Sequence, residues 1–317
     1  MDQKRIIDEF KELVSIEVHS RDERSIADVL KEKLTALGLT VTEDKAGEVL
    51  GGNTGNLYAQ LPGSTDGEPV LFSAHMDRVG NHGHIVPLVK EEEGKIVSDG
   101  TSILAGDDIG GVAAILAMLR EVKEKQIPHG PIEVAFSVCE ETGVEGSRQY
   151  DFSKFRSKSA FVYDASGKAG TIVLAAPSKG RVTICVHGVT AHAGNEPEKG
   201  LNALKVAADL MMQLPDGRRS PVSTENFSII EAESATTVVC DLVTITGEQR
   251  SRDAKEYQQI SADIQAAADR ISEKYHTKIE VELHTLYHAF KLAETARPCV
   301  LANEAAEAAC AAPFFKE

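Results

Sequence analysis

Strands that are covered on both faces carry apolar residues almost without interruption, and this chain of 317 residues holds four such runs before residue 176. They span residues 69–74, 132–138, 160–163 and 171–175. Each is of strand length, and a helical pattern lies between the first two. In that pattern, residues 110–125, Val112, Ile115, Leu116, Leu119 and Val122 form one stripe. The opening segment is also helical. Ile6, Ile7, Phe10, Leu13 and Val14 share a face, then Ile26, Val29, Leu30, Leu34 and Leu37 repeat it, and Gly38 ends the second helix. These patterns predict an α/β domain with a mostly parallel central sheet flanked by helices.

After residues 177–180 the period changes. Residues 181–187 and 278–284 alternate between apolar and polar, which means one dry and one wet face. His187 and His284 fall on the polar side of these strands. Helical stretches occupy residues 201–214 and 254–275, the latter with Tyr257, Ile260, Ile264 and Ile271 on one stripe. The order strand, helix, strand, strand, helix, strand over residues 180–288 predicts a small two-layer α+β domain. Residues 295–312 are helical again and return to the first domain. The expected organisation is therefore one domain from residues 1–179 and 290–317, with residues 180–289 inserted.

The formal net charge of −15 speaks against binding nucleic acid or an anionic membrane surface. The five cysteines, at 139, 185, 240, 299 and 310, form no Cys-x-x-Cys pair and are expected as reduced thiols. The N-terminal segment lacks the apolar core of a signal peptide, and the longest apolar run, residues 112–119, is too short to span a bilayer. A cytoplasmic location follows as the expectation.

The chemistry lies at the ends of the apolar runs. His75-Met76-Asp77, Asp107-Asp108, Glu140-Glu141 and Asp164 each sit where a strand stops or a helix starts. The loop beyond the first adds His82 and His84, which read as incidental. Alone, each cluster is weak, because paired acids usually mark a helix N-terminus or a solvated turn. Together, at strand ends where α/β sheets gather ligands, they suit two divalent metal ions. His75 offers an imidazole nitrogen, and Asp77 can hold its second nitrogen. Asp107 can bridge. Of the adjacent Glu140 and Glu141, one can bind metal and the other polarise water.

The residues 73–77 (SAHMD), 105–111 (AGDDIGG), 140–143 (EETG) and 162–164 (VYD) resemble the dinuclear zinc peptidases, a family that includes peptidase T, carboxypeptidase G, carnosinase and aminoacylase. The resemblance covers essentially the whole chain and is strongest to the peptidase T branch. It continues into the insert, where residues 188–194 (GVTAHAG) and 197–203 (PEKGLNA) are similar to the family's lid motif. The resemblance implies His75 and Asp164 on one metal, Asp107 bridging, Glu141 on the second metal and Glu140 as general base. Asp77 would clamp the His75 ring, and the bond after Asp107 would be cis. His192 would stabilise the developing oxyanion, Arg250 (with Arg252 as fallback) would meet a substrate carboxylate, and Asn202 would belong to the substrate-binding set.

The implied activity is hydrolysis of short peptides by an aminopeptidase with two metal ions, zinc first, with cobalt or manganese suited to the same donors. An N-acyl amino acid deacylase, a carboxypeptidase or a metal-binding homologue without turnover would share the scaffold. A homodimer through the inserted domain is also implied. The family supplies a further metal-binding histidine from a glycine-rich segment near the C-terminus, and residues 313–317 precede any such segment. The intact protein is expected on that ground to extend beyond residue 317; an intact mass near 34 kDa would exclude it.

Overall fold

The computed structural model describes residues 2–80, 83–309 and 311–316; His82 and Cys310 lie outside the described residues. It contains two compact units, Met1–Thr171 with Val300–Pro313, and Ile172–Cys299 with Phe314–Glu317.

The first unit starts with α1 (Gln3–Val14) and α2 (Arg24–Ala36), then β1 (Thr40–Glu43), α3 (Ala46–Leu50), β2 (Leu57–Leu61) and β3 (Val70–His75). A hairpin of β4 (Pro87–Lys90) and β5 (Lys95–Ser98) leads to α4 (Gly106–Glu124), β6 (Ile132–Ser137) and β7 (Ser159–Val162). The central sheet has the order β1-β2-β6-β3-β7. Its β1-β2 and β2-β6 neighbours are antiparallel, and β6-β3 and β3-β7 are parallel. The sheet is thus mixed, and its parallel half is the part that leads to the acidic clusters.

Every residue of β6 is buried, as its apolar run predicts. The one charge in that strand, Glu133, is satisfied by the N–H groups of Arg156 and Ser157 and by the Tyr58 hydroxyl. Helix α4 packs on β3 and α1 and buries Ile109, Val112, Ile115, Leu116 and Leu119. Asp107 and Asp108, within its first turn, have non-helical backbone angles, and the peptide bond between them is cis.

The second unit contains β8 (Thr171–Val173), β9 (Ala175–Ala176), β10 (Ser178–His187), α5 (Ala203–Met211), β11 (Gly217–Ser220), β12 (Ser223–Glu231) and β13 (Leu242–Ser251). Then come α6 (Ala254–Tyr275), β14 (Ile279–Tyr287), β15 (Phe290–Lys291), α7 (Arg297–Ala308, most of which counts with the first unit) and β16 (Phe314–Lys316). Its sheet, β11-β12-β13-β10-β14, is antiparallel. Val182, Ile184 and Val186 alternate inward along β10 and meet Ile260, Ile264 and Ile271 of α6. His187, on the outer side, pairs with Glu280 at 2.7 Å.

Two readings of the apolar runs are corrected. Residues 171–175 do not form a central strand: β8 pairs with β16, and β9 pairs with β15. A five-residue apolar run has too little length to distinguish a central strand from two short connecting ones. Residues 160–163 do form a strand beside β3, but an edge strand, with Val162 63% exposed. Among the described residues, no helix is long and apolar enough to cross a membrane.

Candidate metal centre

The parallel strands end in step, and this brings the acidic clusters together. His75 pairs with Ser137, and Ser73 with Val162. Two further hydrogen bonds extend the ladder, from Met76 N to Ser137 O at 2.8 Å and from Tyr163 N to Ser73 O at 3.1 Å. His75, the turn at 138–141 and Asp164 therefore leave the same end of the sheet. Asp107 reaches that end from the start of α4, which packs on β3.

The buried His75 ring is the hub. Its Nε2 lies 2.9 Å from Asp107 Oδ1 and 4.0 Å from both Glu140 Oε2 and Asp164 Oδ1. Its Nδ1 faces the Asp77 main-chain oxygen at 2.9 Å and Asp77 Oδ1 at 3.3 Å, so Nε2 is the nitrogen turned to the acids. Two donor groups share this ring. In His75–Asp107–Glu141 and in His75–Glu140–Asp164, one ligand atom per residue lies within 4.8 Å of the others.

The electrostatics match a site built for cations. Burial pushes Asp164 up to about 6, opposed by the His75 ring and reinforced by Asp107 and Glu141. Burial likewise raises Glu140 and Glu141, with neighbouring carboxylates adding to the shift. Burial would lower His75, but the hydrogen bond and charge of Asp77 and the charges of Asp108 and Asp164 outweigh it and hold the ring at about 10. The four crowded carboxylates of Asp107, Glu140, Glu141 and Asp164 repel one another, and positive charge among them relieves that repulsion. The donor set of one nitrogen and several oxygens, partly open to solvent, suits divalent ions of the zinc, cobalt and manganese type.

Asp77 is fully buried and joins three chain segments. Its carboxylate faces His75, accepts the Ser20 hydroxyl at 2.6 Å, and accepts the N–H groups of Glu140 at 2.9 Å and Glu141 at 3.1 Å. Burial alone would raise its pKa; the hydrogen bonds from His75, Ser20 and Glu140 bring it below its ordinary value. The next residue, Arg78, is also buried and donates to the carbonyls of Val14, Ile16 and Val18 at 2.7–3.0 Å. It fastens the connection between α1 and α2, the segment that carries Ser20, to the end of β3. Asp108 turns inward and accepts from the N–H groups of His75 and Gly111, each at 3.2 Å. Burial pushes its carboxyl up to about 8.

Sequence reasoning missed Ser20 and the inward role of Asp108. The polar stretch His19-Ser20-Arg21-Asp22-Glu23 between two amphipathic helices was the available signal for the first.

The second unit holds the remaining candidates. His192 Nδ1 accepts from the N–H groups of Gly194 and Asn195, each at 3.2 Å, which places the proton of the neutral ring on Nε2. Asn202 caps α5, with Oδ1 accepting from Leu204 N at 2.9 Å. Arg250 is held by Glu248 through contacts of 2.7 and 3.1 Å, and Lys179 lies 3.5 Å from the same carboxylate. Arg252 follows at the start of the turn into α6, its N–H on Val222 O at 3.0 Å.

Comparison with known proteins points the same way. A family model described as "Peptidase dimerisation domain" matches residues 177–276, and one described as "Peptidase family M28" matches residues 56–194. The uncharacterized protein YqjE of Bacillus subtilis strain 168 is 35% identical over 96% of this chain and 82% of its own length. The crystal structure of the aminopeptidase PepT from Bacillus cereus superimposes with a TM-score of 0.87 at 36% identity, covering 100% of this chain and 85% of that one. A tripeptidase from Staphylococcus aureus superimposes with a TM-score of 0.92 at 31% identity, covering 99% and 84%.

Proposed function

Since the chain belongs to the peptidase T branch of the M20 metallopeptidases, we propose that it is a two-metal aminopeptidase that removes the N-terminal residue of short peptides, tripeptides first. The observation that carries this reading is the single buried His75 ring shared by two groups of carboxylate donors. His75, Asp107, Glu141 and Asp164 are the residues we assign to hold the ions, zinc in the first place. Two such ions supply the Lewis acidity that activates water and polarises the scissile carbonyl.

The chain's own groups do the rest. Asp77 keeps His75 Nδ1 engaged and so turns Nε2 outward. Glu140 takes the proton from the attacking water and delivers it to the leaving amine. His192, with its proton on Nε2, is in the tautomer that donates to a developing oxyanion. Arg250 and Asn202 are assigned to substrate, the former to a carboxylate.

The test is a panel of tripeptides with free or acetylated amino ends, alongside N-acyl amino acids, assayed with zinc, cobalt or manganese. Free-amine tripeptides are expected to be cleaved fastest, with acetylation abolishing turnover. Faster cleavage of N-acyl amino acids would move the assignment to a deacylase.

A homodimer through the second unit is part of the reading. It is supported by the dimerisation-domain match and by the exposed Ile229, Ile230 and Leu242. Sedimentation is expected to give twice the chain mass of 34.1 kDa, and Ile230→Asp is expected to shift the protein toward monomer. A monomeric parent would refute it. A cytoplasmic location is supported by the unpaired thiols of Cys139, Cys185, Cys240 and Cys299.

A further inference from the structure

Beyond Ser137 the strand ladder ends, and four consecutive buried or half-buried amides, at residues 138–141, need other acceptors. Each finds one on a side chain. Val138 N donates to Asn56 Oδ1 at 3.0 Å and Cys139 N to Glu23 Oε1 at 3.0 Å. Glu140 N and Glu141 N donate to the two oxygens of Asp77. All three acceptor side chains are fully buried. Between the second and third of these hydrogen bonds the chain turns: Cys139 sits at φ +50°, a left-handed conformation uncommon for a residue other than glycine. The turn then closes on itself, with Gly143 N and Val144 N on Glu140 O and Glu145 N on Cys139 O.

Two of these acceptors have other work. Asn56 also donates to Asp44 and to Gly146 O, and Asp77 also serves His75 and Ser20. Glu23 stands differently. It lies at the start of α2, 116 residues away in sequence, and its carboxylate accepts from Cys139 twice, from N at 3.0 Å and from Sγ at 3.5 Å, with the Arg21 main chain as a local partner.

We propose that Glu23 is a positioning residue of the hydrolytic reaction: by accepting the Cys139 N–H it fixes the left-handed step that sends Glu140 and Glu141 to their separate places. The proposal rests on the assignment of Glu140 as base and Glu141 as metal ligand. What the turn needs is an acceptor oxygen, so a neutral amide serves in place of the carboxyl. Leucine fills similar space and leaves the Cys139 N–H buried without a partner.

The test compares Glu23→Gln with Glu23→Leu on the full chain. The readouts are kcat and KM on a tripeptide, and the affinity of metal-free protein for zinc, read by competition with a chromophoric chelator. Glu23→Gln is expected to keep parental zinc affinity and a kcat within about threefold of the parent. Glu23→Leu is expected to lose roughly 10- to 100-fold in kcat and in the weaker zinc affinity, the range typical when a group behind a metal ligand is removed. Its KM is expected to stay near the parental value.

A leucine variant with parental kcat and zinc affinity, whatever its melting temperature, overturns the proposal. So does a glutamine variant as impaired as the leucine one. If Glu23→Leu does not fold, Glu23→Met is read in its place by the same criteria. The zinc measurement separates the two levels: turnover surviving in Glu140→Ala refutes the base assignment, while the zinc deficit of Glu23→Leu stands or falls by itself.

Discussion

Glu140→Ala is expected to lower kcat about 100- to 10,000-fold, the range typical for loss of a general base, while the protein keeps its metal. The base role assigned to Glu140 follows from the family resemblance. Its Oε2 lies 4.0 Å from His75 Nε2, as Asp164 Oδ1 does, so it stands beside the donors of the ions. It keeps 28% of its surface open to solvent, while its N–H is tied to the buried Asp77. Removing the carboxylate therefore takes away the proton acceptor and leaves His75, Asp107, Glu141 and Asp164 in place. Metal analysis of the purified variant, paired with peptide hydrolysis followed by chromatography, reads both halves. Hydrolysis at the parental rate would refute the base, and loss of metal with loss of activity would make Glu140 a ligand.

Stripping the metal is expected to leave a protein that loses stability as pH rises from about 4 to about 8. Burial raises Asp164 from 3.8 to about 6 and Asp108 from 3.8 to about 8. Groups raised in the folded state favour folding when protonated, so their contribution is whole below about pH 4 and is lost as pH climbs through the folded values. His75, raised from 6.5 to about 10, acts with the same sign above pH 6.5. Asp77 has the opposite sign, because its pKa is lowered, but its effect falls below this window. Metal should restore what is lost: one ion at a hundred times its Kd adds about 2.7 kcal/mol. Melting temperatures of metal-free and zinc-loaded protein at pH 5 and pH 8 check this. A metal-free protein that melts higher at pH 8 than at pH 5 would show that the carboxylates are not crowded as described.

Much of this was legible in the residues themselves. His75, Asp107, Glu140, Glu141 and Asp164 stand at the ends of apolar runs, and parallel strands that stop in register bring such ends together. The alternation of residues 181–187 likewise gave β10 its inward Val182, Ile184 and Val186. The short runs were ambiguous, and residues 171–175 went astray for that reason. Ser20 and Glu23 showed only as members of a polar stretch between two helices, and Asn56 not at all, so none of their roles could be read. They act on groups 57, 116 and 82 residues away, through single hydrogen bonds that leave no periodic trace.

The bracing beneath the acids also bears on how such a centre could be moved to another scaffold. Asp77, Arg78 and Glu23 lock the α1–α2 connection, the end of β3 and the turn after β6 into one three-way junction. A designer who copied only the His-x-Asp and Glu-Glu strings would carry over the visible donors without the buried oxygens that aim them. The unit to transplant is the junction drawn from three distant stretches, and a scan for the short strings alone would count as equivalent sites that lack it.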